Sequence, residues 1–146
     1  MLLSNDERWL VGQSPLYGVP DAIMPFFRLA VEPGSAAYRV WQDKNGWYTN
    51  QAFDDEQILH LQLERLIEAS RAHAIALAPI VVGNKRLGMV IAANPRDGGF
   101  NDDKMSLMQA FAAQTAIVVE NARLYHAEQR RAEELEGMQQ IAQAIG

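Results

Sequence analysis

The stretch Ile75-Ala76-Leu77-Ala78-Pro79-Ile80-Val81-Val82-Gly83-Asn84-Lys85-Arg86-Leu87-Gly88-Met89-Val90-Ile91-Ala92-Ala93-Asn94 decides how the rest of the chain is arranged. Two short apolar runs, Ile75 to Val82 and Arg86 to Asn94, flank Gly83-Asn84-Lys85. Gly-Asn between two such runs is a hairpin signal. Alternate residues of a strand point to opposite faces, and both faces of each run are apolar here. The hairpin therefore belongs in the middle of a sheet, with cover on two sides. Pro79 runs against that placement locally, because proline donates nothing to a ladder and sits at edges or bulges.

Upstream, Leu2-Leu3 and Arg8-Trp9-Leu10-Val11 read as two strands around the polar turn Ser4-Asn5-Asp6-Glu7. Gly12 to Pro25 reads mostly as loop, and Phe26 to Val31 as a short extended segment. After Pro33-Gly34, Ser35 is an N-cap with Ala37, Val40 and Trp41 at helical spacing behind it. Asn45-Gly46 ends that helix, and Trp47-Tyr48-Thr49 has strand preference. Asp54-Asp55-Glu56 opens a second helix, where the dipole favours acids. Leu59, Leu63, Leu66 and Ile67 form its apolar stripe, which ends near His73.

Downstream, Asn94 to Gly99 is a loop, and Asn101 is the N-cap of a long helix that starts at Asp102-Asp103. Leu107, Phe111, Val118, Ala122 and Tyr125 form one apolar stripe on it. Met108, Ala112 and Val119 form another, widened by Ile117 and Leu124. A helix apolar over so much of its circumference needs cover on two sides. One side can face its own sheet; the other needs a second helix, in this chain or another. His126 to Glu136 is charged, and Leu135, Met138, Ile141 and Ile145 then return at helical spacing. Unbroken from Asp102 to Ile145, the helix would be about 65 Å long at ~1.5 Å per residue. Gly137, which costs about 1 kcal/mol inside a helix, is the place for a joint. A strict heptad from Leu124 meets Glu128 and Arg131 before Leu135 and Met138, which leaves register and strand number open.

At 146 residues the chain suits one domain. A net charge of −5 argues against unspecific nucleic-acid binding, which needs clustered Lys and Arg. The absence of cysteine excludes disulfides, thiolate chemistry and Cys-ligated zinc, and suits a cytoplasmic setting. No apolar run approaches the 18 or so residues that a membrane span needs. The N-terminus lacks the charge and apolar core of a signal peptide.

Three stretches together resemble the GAF family of sensory domains. The first is Gly34-Ser35-Ala36-Ala37-Tyr38-Arg39-Val40, then Gly46, then Thr49-Asn50-Gln51-Ala52. The second is Ala78-Pro79-Ile80, Gly83 and Leu87-Gly88-Met89-Val90. The third is Phe100-Asn101-Asp102-Asp103, Ala112-Ala113-Gln114 and Glu120-Asn121-Ala122-Arg123-Leu124. The Pro79 hairpin and the Asn121-Ala122-Arg123-Leu124 ending favour this family over the PAS type. The resemblance implies an α+β sandwich of the profilin-like kind: a six-stranded antiparallel sheet with helices, a ligand cavity under loops and short helices, and a long C-terminal signalling helix. It divides the chain into a GAF-like sensory domain over 1–125 and a signalling helix over 126–146. The family's front helix, which packs beside the closing helix, has no counterpart before the first strand, so a piece of a larger protein is expected. The outgoing helix implies an attached output domain: a histidine kinase of a two-component system, a cyclic-dinucleotide enzyme, a phosphatase or a second GAF domain.

Gly83-Asn84-Lys85-Arg86-Leu87-Gly88 has phosphate-loop spacing, but Met89-Val90 stands where Lys-Ser/Thr must follow, and the loop joins two strands. His60, His73 and His126 are too scattered for a metal set. Asp54-Asp55 and Asp102-Asp103 sit at helix starts, where the dipole accounts for them, and Ser35 lacks a Gly-x-Ser-x-Gly surround. No nucleophile, metal set or carboxylate pair supports an enzyme. Relatives that bind cyclic nucleotides share an Asn-Lys pair, a Phe and an Asp-Glu. Here Asn94 and Phe100 fit, but Pro95 replaces the Lys and Lys104-Met105 the Asp-Glu, so that ligand is not expected. Bilin carriers and the methionine sulfoxide reductase branch usually need a cysteine. A pocket of unknown content remains, with Phe27, Tyr38, Trp41, Tyr48, Asn50 and His73 as candidate lining for a small planar or amphipathic ligand. The cofactor, if any, is unknown. Phe111, Val118, Leu124, Tyr125, Leu135 and Met138 are the candidate dimer and signalling surface. Two readings follow: a small-molecule sensor transmitting through its C-terminal helix, or a ligand-free dimerising module in which Trp41 and Tyr48 are core.

Overall fold

The computed structural model describes residues 1–14, 17–43, 45–94, 96 and 98–145, without the side chains of 25 and 26. The hairpin forms as its residues predict: β5 (Ala74–Val82) and β6 (Lys85–Asn94) pair antiparallel from Ala74↔Asn94 to Val82↔Lys85. Both are inner strands of a six-stranded antiparallel sheet that also contains β1 (Leu2–Leu3), β2 (Trp9–Val11), β3 (Arg28–Ala30) and β4 (Trp47–Thr49). The strand order is β3-β2-β1-β6-β5-β4. β1 joins the two halves, pairing with β2 through Leu3↔Leu10 and with β6 through Leu2↔Gly88.

Strand alternation divides the core in two. Ile75, Leu77 and Met89 point to one face, under α1 (Ala36–Gln42), α2 (Glu56–His60) and α3 (Glu64–Ser70). Ala76, Ala78 and Ile80 point to the other, under α4 (Asp102–Ile145). Small residues on that second face let α4 lie close to the sheet, where its Met105, Ala112 and Ala116 are buried. Pro79 costs the sheet nothing where it stands. β4 pairs with Ile75–Leu77, so among the described residues no strand pairs with β5 on that side at Pro79 and no ladder bond to β4 is lost. One residue further on, the register slips between Ile80 and Val81, whose partners are Gly88 and Arg86. Leu87 is the extra residue, and its side chain joins the α4 face.

Ser35 caps α1 as its position suggests, its Oγ accepting from the Tyr38 backbone N–H at 3.0 Å. Asn101 does the same for α4, accepting from the Lys104 N–H at 2.9 Å. Two local features differ from the sequence reading. Asp21–Phe26 forms a 3-10 helix at the end of the Gly12–Pro25 stretch read mostly as loop, and takes in Phe26, the first residue of the segment read as extended. The single helix expected between Asp54 and His73 is two, α2 and α3, broken at Gln62 with φ +57°. The reason is burial. Leu61 and Leu63 are each only 1% exposed, whereas Leu59, expected in the stripe, is 59% exposed. Positions two apart face opposite ways on a helix, so a left-handed residue between them, costing about 1 kcal/mol, lets both leucines reach the core. Pro15 and Leu16, and Pro95 and Asp97 of the loop expected at Asn94–Gly99, lie outside the described residues.

α4 is one helix of 44 residues and passes through Gly137 without a joint. From Asn121 onward its residues are exposed, Gly137 alone being half-buried. No helix among the described residues is long and apolar enough to cross a membrane.

Two glycines separate the body of the domain from its extension. Gly46 holds φ +70°, and a Cβ there would collide with the Leu77 carbonyl oxygen. Gly137 has nothing near a Cβ. Gly46→Ala is therefore expected to lower stability by more than about 2 kcal/mol. Gly137→Ala is expected to raise the helix content of α4 with no loss of stability, by the roughly 0.5–1 kcal/mol that separates the two residues in a helix. Denaturant unfolding followed by circular dichroism checks both.

Candidate functional site

The face under α1, α2 and α3 is filled by side chains. Leu10, Ile75, Leu77 and Met89 are fully buried there, with Trp41 at 7% exposure. Trp41 donates its ring N–H to the Gly88 carbonyl at 3.1 Å, so its one polar atom is satisfied inside the core. No buried side-chain nitrogen or oxygen among the described residues lacks a partner. A polar ligand held in the interior would ordinarily be recognised by such spare groups.

The six candidate pocket residues do not converge. Tyr38 and Trp41 meet edge-to-face on α1 with ring centroids 6.4 Å apart. Phe27 is half-buried and packs against the same core from the end of the 3-10 helix. Tyr48 points to the opposite face, among the residues under α4. His73 is exposed and stands edge-on to Phe53, centroids 5.6 Å apart. Asn50 is exposed at the end of β4.

Asn50 instead forms a latch. Its Nδ2 donates to the Phe100 carbonyl at 3.0 Å, and its Oδ1 accepts from the Phe100 N–H at 2.6 Å. Phe100 immediately precedes the capped start of α4. Gly99 leaves room for this latch: a Cβ there would press on the Asn50 amide and displace it. Lys104, in the first turn of α4, closes the loop from the other side by donating to the Gly98 and Gly99 carbonyls at 2.6 Å each. Two more contacts link this end of the sheet to the same helix: Tyr48 OH to Asp102 at 3.3 Å, and Gln109 to the Asn45 carbonyl at 2.5 Å. Residues 45–50 and the start of α4 are therefore joined by polar contacts around a β4 that also packs on β5. No short motif signals this arrangement, because the latch joins positions 50 residues apart. The pair Gly98-Gly99 is its only local trace in the sequence.

Among the described residues, the concavities on the surface of the body include three of note. A 280 Å³ notch between α2 and α3 has Ala52, Ile58 and Ile67 as its floor and Phe53 and Leu59 as exposed walls. Asp54, Asp55, Glu56, Glu64 and Glu68 surround it, and Asp55 is committed to capping α2. A 740 Å³ groove runs where α4 leaves the sheet, between Tyr38 and Trp41 on one side and Glu120, Arg123 and Leu124 on the other. Lys85 pairs with Glu120 across it at 3.1 Å, and Arg86 donates to the Trp41 and Gln42 carbonyls at the end of α1. The third, of 370 Å³, lies between Trp47-Tyr48 and the first turns of α4. Tyr38 and Trp41 share the groove and Tyr48 lines the third concavity; Phe27, Asn50 and His73 line none of the three. Among the described residues no His, Asp and Glu side chains gather into a group that could hold a metal.

The candidate helix residues lie on one element and are all exposed: Phe111, Val118, Leu124, Tyr125, Leu135 and Met138. Leu107, Ile117, Ile141 and Ile145 are exposed beside them, so exposed apolar side chains stand on the helix over 107–125 and again over 135–145, with the charged stretch 126–134 between.

Two variants probe the joint between β4 and α4. Asn50→Ala removes both latch bonds and is expected to speed amide hydrogen exchange at Phe100 and in the first turn of α4 at least tenfold, leaving β5 and β6 unchanged. The negative charge of Asp102, then partial burial, then their hydrogen bond raise the Tyr48 phenol above its ordinary value. A raised value means that the folded state favours the neutral phenol. Its contribution to stability is present below about pH 10 and is lost as pH rises through the raised value. In Asp102→Asn the phenol is expected to titrate nearer its ordinary value, read by ultraviolet absorbance against Tyr48→Phe.

A family model described as GAF domain matches residues 21–121. No curated protein and no solved structure matches the chain.

Proposed function

The chain belongs to the GAF domain family, and on that premise we propose that it is a regulatory module of a larger signalling protein, with α4 as both its output element and its dimerisation surface. The observation that carries this reading is the apolar surface of α4. It lies in two stretches, Leu107 to Tyr125 and Leu135 to Ile145, is uncovered among the described residues, and belongs to a helix that runs on past the body without a break. Exposed apolar side chains gathered on one element in this way mark an interaction site. A rigid helix latched to the sheet at Phe100 would pass a small rearrangement of the body to whatever domain follows. Couplings of about 1–3 kcal/mol suffice for such control. A kinase, a cyclic-dinucleotide enzyme, a phosphatase or a second GAF domain would serve as the output. The regulatory role fits a family that is generally not catalytic.

The trigger divides two readings. A small-molecule sensor draws support from the notch beside Phe53, which adjoins the segment between Asn50 and α2 and so lies near the latch. A ligand-free dimerising module draws support from the filled interior and the satisfied Trp41. A native mass spectrum separates them: a retained non-protein mass supports the sensor, and a bare dimer supports the module.

Dimerisation itself is tested by sedimentation. The chain is expected to sediment as a dimer. Val118→Glu with Leu124→Glu is expected to weaken association at least a hundredfold without lowering the unfolding temperature, because both side chains are exposed in the monomer. A wild-type chain that remains monomeric at high concentration contradicts the proposal.

A further inference from the structure

We infer that a second copy of the chain lies antiparallel along α4, with its outgoing helix in the groove between α4 and the Lys85-Arg86 end of the hairpin. The inference rests on the dimer proposed above and specifies its geometry. Ile117, Leu124, Arg131, Met138 and Ile145 recur every seven residues. Gln114, Asn121, Glu128, Leu135 and Ala142 stand three residues before each, which makes the two sets the a and d positions of one heptad seam. All ten are exposed. A parallel pair in register would set Glu128 against the partner's Glu128 and Arg131 against the partner's Arg131. Like charges would then face each other in consecutive layers. In an antiparallel pair centred between these positions, a residues face d residues. Glu128 then faces the partner's Arg131 twice over, and Leu124 faces the partner's Leu135 twice over.

The groove points the same way. It is 740 Å³, and Leu124 lines it. Its basic groups are Lys85, Arg86 and Arg123; its acidic groups are Glu7 and Glu120. An antiparallel second copy lays Glu134-Leu135 along it, setting Leu135 against Leu124 and Glu134 on the flank toward the basic groups. A parallel partner in register would instead bring its own Leu124 to this place and leave Glu134 on the far extension.

The chain contains no cysteine, so single introduced thiols report the geometry cleanly. An antiparallel pair brings position 124 of one copy to position 135 of the other. It holds the two copies of position 124 roughly 16 Å apart, at ~1.5 Å per residue. A disulfide needs Cα atoms within about 7 Å. Under mild oxidation, Leu124→Cys mixed with Leu135→Cys is expected to give the mixed disulfide dimer, and Leu124→Cys alone is expected to stay uncrosslinked. Ready self-crosslinking of Leu124→Cys alone would overturn the arrangement, as would a sedimenting dimer that crosslinks in neither sample. A wild-type monomer would instead remove the dimer on which it rests. As a second arm, Glu128→Arg is expected to weaken the dimer at least tenfold, and adding Arg131→Glu is expected to restore it. Unchanged association of Glu128→Arg would also overturn the arrangement.

Discussion

β5 is apolar on both faces, and burying it on both sides at once is the constraint to which every other element answers. Ile75 and Leu77 need a layer above the sheet, and Ala76, Ala78 and Ile80 need one below. Burial of apolar area is the main favourable term in folding. The three short helices α1, α2 and α3 supply the first layer and a single long helix supplies the second. The alanines on the α4 face matter as much as the large residues opposite. They let a helix carrying Ala112 and Ala116 lie close to the strands and be positioned by them.

That asymmetry assigns different work to the two faces. The α1 side is closed: its tryptophan is hydrogen-bonded inside and its leucines are fully buried. The α4 side is half-finished. One side of the helix meets the sheet, the other is apolar and bare, and the helix extends well past the last strand. Its near end is held by Asn50, Lys104 and Asp102, so body and helix are joined at a defined place. A domain built in this way closes its core by itself and leaves exposed apolar side chains on the element that leaves it.

The features legible in the sequence were those set by local chemistry. Gly83-Asn84 gave the hairpin, Ser35 and Asn101 gave helix starts, and the double stripe on α4 gave a helix needing more than its own sheet. The break at Gln62 was not legible, because Leu59 and Leu63 fit a helical period as well as Leu61 and Leu63 fit the core. Only the packed position of the leucines distinguishes them. The candidate lining was less legible still. Aromatic residue type marked Tyr38, Trp41 and Tyr48, but strand alternation sends Tyr48 to the other face from Trp41. Asn50 was singled out, yet its partner lies 50 residues away, and a polar pair of that kind leaves no periodic trace.

The central claim is that the bare surface of α4 is covered by another copy of the chain. The segment after Tyr125 is exposed throughout in the single chain, apart from the half-buried Gly137, and most helical stability in proteins comes from packing of a helix face rather than from propensity. Its amide hydrogen exchange, measured across a hundredfold range of protein concentration, addresses the claim directly. The account predicts that protection over residues 126–145 rises steeply with concentration while β5 and β6 stay constant, because only association covers that segment. Exchange that is independent of concentration, in a chain that remains folded, would contradict it.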